Sequence, residues 1–318
     1  MSNAYVLVEQ QGGILDPVTA ELITAARNLG EVTAVVVGKT GTHTTLAGEL
    51  AAIGAAAVIA AESDSYDSRL ILPEVDTLHT IAYNNPGPIV VAATTEGNEI
   101  AGRLAVRLAS GVLSDVIAIN ADRTATHSIF GDTVSTTAAV GGSCPVYTLR
   151  PGATEADPIP AAGTVQVIAL PEATAKDVTV TSFTPSEVAQ RPALSQAKAV
   201  VAGGRGVGSV EGFTDLVEPL ADLLDGAVGA TRDAVDEKYY GPNFQIGQTG
   251  ETVSPDLYIA LGISGAIQHT SGMQTAKTIV AINEDEDAAI FQIADLGIVG
   301  DLFEITPKLI EEIKQRKN

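Results

Sequence analysis

Residues 257–283 read Leu-Tyr-Ile-Ala-Leu-Gly-Ile-Ser-Gly-Ala-Ile-Gln-His-Thr-Ser-Gly-Met-Gln-Thr-Ala-Lys-Thr-Ile-Val-Ala-Ile-Asn. Leu257–Leu261 has the uninterrupted apolar character of a strand buried on both faces, and it runs into a Gly-Ile-Ser-Gly turn. Ser264, Gln268 and His269 follow. A second apolar strand, Thr278–Ile282, ends on Asn283. Two strands that each deliver polar residues at their C-terminal ends predict a ligand crevice in an open α/β sheet.

The segment before this stretch carries the same pattern. A strand at Ala199–Ala202 meets Gly203-Gly204-Arg205-Gly206-Val207-Gly208, and a helix is predicted over Glu211–Leu224. Strand Ala227–Ala230 then ends on Thr231 and Arg232, and a Gly-punctuated loop, Gln245-Ile-Gly-Gln-Thr-Gly250, follows. The Gly-rich turn lies where a phosphate can approach backbone N–H groups. It is neither the dinucleotide fingerprint nor a P-loop, since the spacing differs and the P-loop lysine is missing. A structural turn and a phosphate site are both open from the residues alone; Arg205 favours the second, because a guanidinium grips a pyrophosphate bidentately. Gln245, Gln248 and Thr249 suit the edge of an uncharged heterocycle and equally suit turn chemistry. A final helix is predicted over Thr306–Lys317. Glu284–Asp287, four consecutive acids, reads as a solvated loop.

The first half also alternates strands and amphipathic helices. Strands are predicted at Tyr5–Val8, Thr33–Val37, Ala57–Ala61, Ile89–Ala93 and Asp115–Ile119, with helices at Pro17–Leu29, Thr44–Ile53, Ser68–Thr80 and Glu99–Leu108. Asp16 is the candidate cap of the first helix. Such alternation means a parallel sheet with helices on both faces. After residue 120 the helices stop. Ser128–Phe130, Val134–Val140, Pro145–Leu149, Val165–Ala169 and Val178–Phe183 are strand-like and predict a β portion added to the first domain. The expected organisation is an N-terminal α/β domain over 1–190, a polar linker over 191–198 and a second, Rossmann-like domain over 199–318.

Composition narrows the partners. The 318 residues carry a net charge of −21. Nine basic and 20 acidic residues precede position 192, and nine and 19 follow, so neither half is a basic module. Nucleic acid and anionic membrane surfaces need a positive footprint and are excluded on that ground. Cys144 is the only cysteine, which removes an intramolecular disulfide, a cluster or a Cys-type zinc site within the chain. The histidines at 43, 79, 127 and 269 lack metal-ligand spacing. Gly262-Ile-Ser-Gly-Ala266 lacks the spacing of a hydrolase nucleophile elbow. No apolar run reaches the roughly 18 residues of a membrane span. The start, Met1-Ser2-Asn3-Ala4, has no basic or apolar leader, which predicts a cytoplasmic protein of a bacterium-like cell or a mature form.

Six segments occur in an order that is more specific than any one of them: Val-Val-Ala-Gly-Gly-Arg-Gly (200–206), Val-Gly-Ala-Thr-Arg (228–232), Gln-Ile-Gly-Gln-Thr-Gly (245–250), residues 257–269, Thr-Ile-Val-Ala-Ile-Asn (278–283) and Ile-Phe-Gln-Ile-Ala-Asp (290–295). Together they closely resemble the C-terminal domain of the electron transfer flavoprotein α subunit, densely over 199–305. The first 190 residues resemble that family in layout, with weaker motifs. The resemblance implies a heterodimer with a β subunit, FAD held mainly by 199–318, and AMP in the β subunit. It further implies an electron carrier without a substrate turnover of its own, which accepts electrons from acyl-CoA and related dehydrogenases and passes them to a membrane quinone oxidoreductase.

Position by position, the resemblance implies that Arg232 lies beside the isoalloxazine ring, that Thr249 hydrogen-bonds flavin N5 and that His269 lies near the C2 carbonyl. Ser264, Gly265, Ala266, Ile267 and Gln268 match the segment lining the cofactor, and Gln245, Ile246, Gly247 and Gln248 belong with Thr249 to another wall of the same site. Arg205, Asn283, Asp301 and Leu302 match positions around the ribityl, diphosphate and adenosine end. Thr231 stands where the family usually has serine and keeps the hydroxyl. A cation about 4 Å from charge developing on the ring is worth roughly 4 kcal/mol at an effective dielectric near 20. For one electron that is about 0.17 V at ~59 mV per tenfold. Arg232 and a donating His269 are therefore expected to raise the flavin potential. A hydrolase or transferase using a nucleotide-type substrate, a non-redox nucleotide-binding subunit, and a bifurcating flavoprotein remain alternatives for the same crevice.

Overall fold

The computed structural model describes residues 3–130, 134–175, 177–182 and 191–317. Residues 1–184 and 185–318 form two compact units.

In the first unit the strands are β1 (Asn3–Leu7), β2 (Gln10–Gln11), β3 (Ile14–Leu15), β4 (Glu31–Gly38), β5 (Ala57–Glu62), β6 (Ile89–Ala92), β7 (Val112–Ile119), β8 (Ala125–Ile129), β9 (Val134–Ala138), β10 (Val146–Leu149) and β11 (Thr164–Ala169). The helices are α1 (Val18–Ala26), α2 (Thr42–Ile53), α3 (Leu72–Asn84) and α4 (Thr95–Leu108). Nine strands make one sheet in the order β11-β5-β4-β1-β6-β10-β7-β8-β9, and β2 and β3 make a separate short hairpin. All pairs from β11 to β7 are parallel; β7-β8 and β8-β9 are antiparallel. The central strands are buried on both faces, which is why they read as continuous runs of Val, Ile and Ala.

The β portion expected after residue 120 divides in two. β8 and β9 form the antiparallel addition. β10 instead inserts between β6 and β7, and β11 adds to the far edge beside β5. Both join as parallel strands without a helix before them, so the loss of helical periodicity did not mark a separate layer. Asp16 Oδ1 does accept from Val18 N at 3.0 Å at the start of α1. α3 begins four residues later than Ser68, with Pro73 in its first turn, where the missing N–H leaves no bond unmade. Of the expected strand at Val178–Phe183 only a single bridge, Arg69 to Thr179, is formed, and Phe183 lies outside the described residues.

The first sheet has its own switch point, where β1 is flanked by β4 and β6, but the crevice there is small. About 70 Å³ is enclosed by Glu9, Tyr66, Glu74, Glu96 and apolar neighbours. Burial pushes the carboxyls of Glu9 and Glu74 up to about 7. The N-terminus of α2 is likewise occupied by the protein itself: Gly41 N and His43 N both donate to the Glu62 carboxylate at 2.8 Å. Neither place suits a phosphate.

The second unit is a five-stranded, wholly parallel sheet of β12 (Ala199–Gly203), β13 (Ala227–Ala230), β14 (Leu257–Leu261), β15 (Ile279–Asn283) and β16 (Leu296–Val299), in the order β13-β12-β14-β15-β16. Within the unit this is the order 2-1-3-4-5 of a doubly wound fold. A helix over 210–223 consists of α5 (Val210–Gly212), a π-helical stretch at Phe213–Val217 and α6 (Glu218–Leu223). Ser209 caps it by accepting from Gly212 N at 3.1 Å. The remaining helices are α7 (Arg232–Asp236), α8 (Ile267–Thr270) and α9 (Leu302–Lys317). α9 starts earlier than Thr306 because Asp301 caps it, accepting from Phe303 N at 2.8 Å. Strand β16 has no counterpart among the sequence expectations; three of its four residues are exposed at the sheet edge. Residues 191–198, expected as a linker, pack on this unit. Leu194 and Ala197 enter its core, and Arg191 binds Asp222 at 2.5 Å.

Arg69 ties the irregular stretch after β11 to the first unit. Its Nη2 meets Asp76 at 2.6 Å, its Nε donates to Asp177 at 2.7 Å and its Nη1 donates to the Pro171 carbonyl at 2.6 Å, with the residue only 8% exposed. Removing one partner of a buried ionic cluster leaves charge uncompensated, at a cost of about 3–5 kcal/mol. Arg69→Leu is expected to destabilise the first unit by about 3 kcal/mol, seen as an earlier urea transition. A transition at the wild-type midpoint would show that these contacts carry no net stability.

Candidate functional site

A cavity of about 430 Å³ opens at the C-terminal ends of β12, β13 and β14. It lies on the switch point of the 2-1-3-4-5 sheet, between β12 and β14, whose following loops leave to opposite sides. Its walls are the loop after β12 (Gly204, Arg205, Gly206), the start of α7 (Thr231, Arg232, Asp233), the loop Gln245–Thr249, the turn after β14 with α8, and the loop after β15. Short backbone bonds fix these walls to one another. Gly204 N donates to Leu261 O at 2.8 Å, Gly206 N to Gly262 O at 3.1 Å, Thr231 N to Gly203 O at 3.0 Å and Gln248 N to Gln268 O at 2.7 Å.

The glycines answer the question the sequence left open about the Gly-rich turn. A Cβ on Gly204 would lie 2.2 Å from the Gly262 carbonyl oxygen, and one on Gly247 would lie 2.4 Å from the Gln268 carbonyl oxygen. They are needed for loop-against-loop packing. Arg205 then stands on a rigid shelf, exposed toward the cavity. Its side chain, and those of Gln248, Ser264 and Gln268, have no hydrogen bond or ion pair to any described residue. Four polar groups that are free beside one cavity are what a polar ligand requires.

Thr231 is the N-cap of α7, its hydroxyl oxygen accepting from Ala234 N at 3.3 Å. The hydroxyl proton is left for another acceptor, so Thr231 keeps a donor at the cavity. Thr249 accepts from Gln245 Nε2 at 2.9 Å. Arg232 is 65% exposed, with Asp236 on the next turn at 3.4 Å. Asp233, Glu284 and Asp285 also line the cavity, so three carboxylates face two guanidinium groups. Sequence reasoning passed over these acids because a run of acids has the same composition in a solvated loop as at the rim of a site.

The donor role expected for His269 is corrected. Its ring is 5% exposed and both nitrogens are engaged inside the protein. Nδ1 faces the Ile246 carbonyl at 3.0 Å, so Nδ1 carries the proton. Nε2 then accepts from the hydroxyl of the fully buried Tyr258 at 2.9 Å. Burial pulls the imidazole down to about 4. The neutral ring therefore braces strand β14, the Gln245–Thr249 loop and α8 together, and it has no N–H to spare for the cavity.

Other expected positions are distributed as follows. Ile246, Gly247, Gln248, Ser264, Ala266, Gln268 and Asn283 line the cavity with Arg205, Thr231, Arg232, Gln245, Thr249 and His269. Asn283 spends one amide proton on Ile263 O at 2.8 Å and accepts from Asp285 N at 3.0 Å, clamping two loops. Gly265 and Ile267 are in the lining segment but do not border the cavity; Ile267 points away, 60% exposed. Asp301 and Leu302 are outside it. Asp301 is an exposed helix cap, and Leu302 is a core residue beneath Gly262.

The buried imidazole gives a direct check. A histidine held neutral to about pH 4 folds against a reference of 6.5, so the unfolded chain takes a proton that the folded chain refuses between those values. Its contribution is full above pH 6.5 and declines by about 3 kcal/mol as the pH falls through the window to 4. The His269 ring resonance is expected to stay at its neutral position down to about pH 4 in an NMR titration. A midpoint near 6.5 would mean that the ring is accessible and its hydrogen bonds are not formed.

The family model described as "Electron transfer flavoprotein FAD-binding domain" matches residues 193–274, the segment that carries most of the cavity walls. The model described as "Electron transfer flavoprotein domain" matches residues 4–175. The chain is 52% identical to the electron transfer flavoprotein subunit alpha of Mycobacterium leprae and 54% identical to that of Mycobacterium tuberculosis, each over 318 residues and the whole of both chains. It is 34% identical to the mitochondrial electron transfer flavoprotein subunit alpha of Arabidopsis thaliana, over 99% of this chain and 90% of the other. Both halves match and the alignments run from end to end: the chain belongs to the electron transfer flavoprotein α-subunit family.

Proposed function

We propose that the chain is the FAD-holding subunit of a heterodimeric electron carrier. The supporting observation is the convergence at one switch-point cavity of loops from four strands, bearing two arginines and hydroxyls from two threonines. The residues fit the group. Arg205, without a hydrogen-bond or ion-pair partner among the described residues, suits the diphosphate. Thr231, Gln248, Thr249, Ser264 and Gln268 offer donors and acceptors to ring and ribityl edges. Arg232 faces the same space with its charge only partly screened. Bound there, FAD supplies the redox chemistry, and the chain supplies orientation and electrostatics.

His269 is neutral and hydrogen-bonded on both sides, which argues against an acid–base role for it. A carrier reading follows, in which acyl-CoA and related dehydrogenases donate electrons and a membrane quinone oxidoreductase accepts them. The partner is a β subunit, which holds AMP and closes the open side of the cavity. Among the described residues no helix is long and apolar enough to cross a membrane, in keeping with a carrier that docks transiently from the bacterial cytoplasm.

Co-expression with the β-type subunit is expected to give a yellow complex with a flavin spectrum. A colourless complex that does not take up added FAD would overturn the reading. The exposure of Arg232 and its contact with Asp236 place its effect nearer the aqueous limit of about 1 kcal/mol than the 4 kcal/mol of a buried pair. Arg232→Ala is expected to lower the flavin midpoint potential by about 40 mV, measured by reductive titration against a reference dye. An unchanged potential would remove Arg232 from the ring's surroundings.

A further inference from the structure

We infer that Gln245 is a positioning residue that forces the Thr249 hydroxyl to act as a hydrogen-bond donor into the cavity. The inference rests on the reading that this cavity holds FAD. A hydroxyl has one proton and two lone pairs, and which of them it presents depends on its neighbours. Gln245 Nε2 donates to Thr249 Oγ1 at 2.9 Å and occupies one lone pair. No described residue accepts from the Thr249 hydroxyl. The proton is then left for an acceptor in the cavity, and the incoming amide bond polarises the O–H and strengthens that donation.

The loop's backbone bonds hold the two side chains opposite each other. Ile246 N donates to Ala230 O at 2.9 Å, which fixes the loop's first arm to the end of β13. Glu251 N donates to Gln245 O at 2.8 Å and Gly247 N to Glu251 O at 3.1 Å, which closes the loop upon itself. Gln248 N is bonded to Gln268 O, so the tip cannot swing. Gln245 and Thr249 therefore face each other across a closed loop whose backbone does not depend on either side chain. A carboxylate at 245 can only accept. Gln245→Glu would claim the hydroxyl proton for itself and leave Thr249 showing a lone pair to the cavity.

The test uses the αβ heterodimer stripped of flavin and titrated with oxidised FAD, with binding read from flavin fluorescence. Gln245→Glu is expected to weaken binding about tenfold, about 1.4 kcal/mol. Gln245→Leu, which merely releases the hydroxyl, is expected to weaken it two- to threefold. Thr249→Val is expected to weaken it about tenfold. In the Thr249→Val background Gln245→Glu is expected to add less than a twofold loss, because the residue acts only through the hydroxyl. Unchanged binding in Gln245→Glu overturns the inference. A full tenfold loss in the Thr249→Val background also overturns it, since the added charge would then act on the cofactor directly. If the unsubstituted heterodimer takes up no FAD, the cofactor reading fails and the inference falls with it; normal uptake with an indifferent Gln245→Glu removes only the positioning role.

Discussion

The site depends on one constraint, the close approach of two backbone loops at the β12/β14 switch point. In a 2-1-3-4-5 sheet the loops after the first and third strands leave toward opposite faces, so a gap opens between them. Here the loops first touch, with Gly204 and Gly206 bonded to the backbone at 261–262, and only then diverge. The contact leaves no room for a side chain on Gly204. It turns what would be a flexible mouth into a rigid floor. Arg205 stands on one side of that floor and Ser264 on the other.

A second layer of interactions holds the walls. Tyr258 and His269 connect the interior of β14 to α8 and to the Ile246 carbonyl through two buried hydrogen bonds. Asn283 joins the loop after β15 to the turn after β14. His269 and Asn283 look like ligands in a sequence because they are polar and follow apolar strands. In the fold they are struts that keep the cavity walls in place. The electrostatics follow from the same division. With the imidazole neutral, positive charge in the cavity comes from Arg205 and Arg232, and three carboxylates at the rim temper it.

The two units contrast in a way that accounts for where the site lies. The first sheet also has a switch point, beside β1, yet that crevice is narrow and bordered by Glu9, Glu74 and Glu96. Glu74 and Glu96 come to it from the first turns of α3 and α4, and the N-terminus of α2 is satisfied by Glu62. The same general topology therefore offers a polar ligand a place in one unit and refuses an anion in the other. The side chains that border each crevice make the difference.

Much of this was legible in the residues. Buried parallel strands announce themselves as runs of Val, Ile, Ala and Leu, and β13 and β14 begin and end where the apolar runs do. The order of polar residues after those strands identified the walls of the cavity. Strand order was not legible: nothing local in Val146–Leu149 says that it inserts between β6 and β7, because sheet position is set by which neighbours bury its faces. The edge strand β16 was missed for the same reason in reverse, since its exposed residues lack the apolar run of a core strand. The sequence by itself determined the fold class, the family and the loops that meet at the site, through periodicity and the spacing of polar residues. The tertiary structure alone decided the direction of each hydrogen bond. His269 became a brace instead of a donor, Asp301 and Leu302 became a cap and a core residue, and Gln245 was set facing Thr249. The reason is physical: a polar side chain's role is fixed by the partner it meets, and for His269 and Asn283 those partners lie 11 to 23 residues away, while Gln245 meets Thr249 across a closed loop.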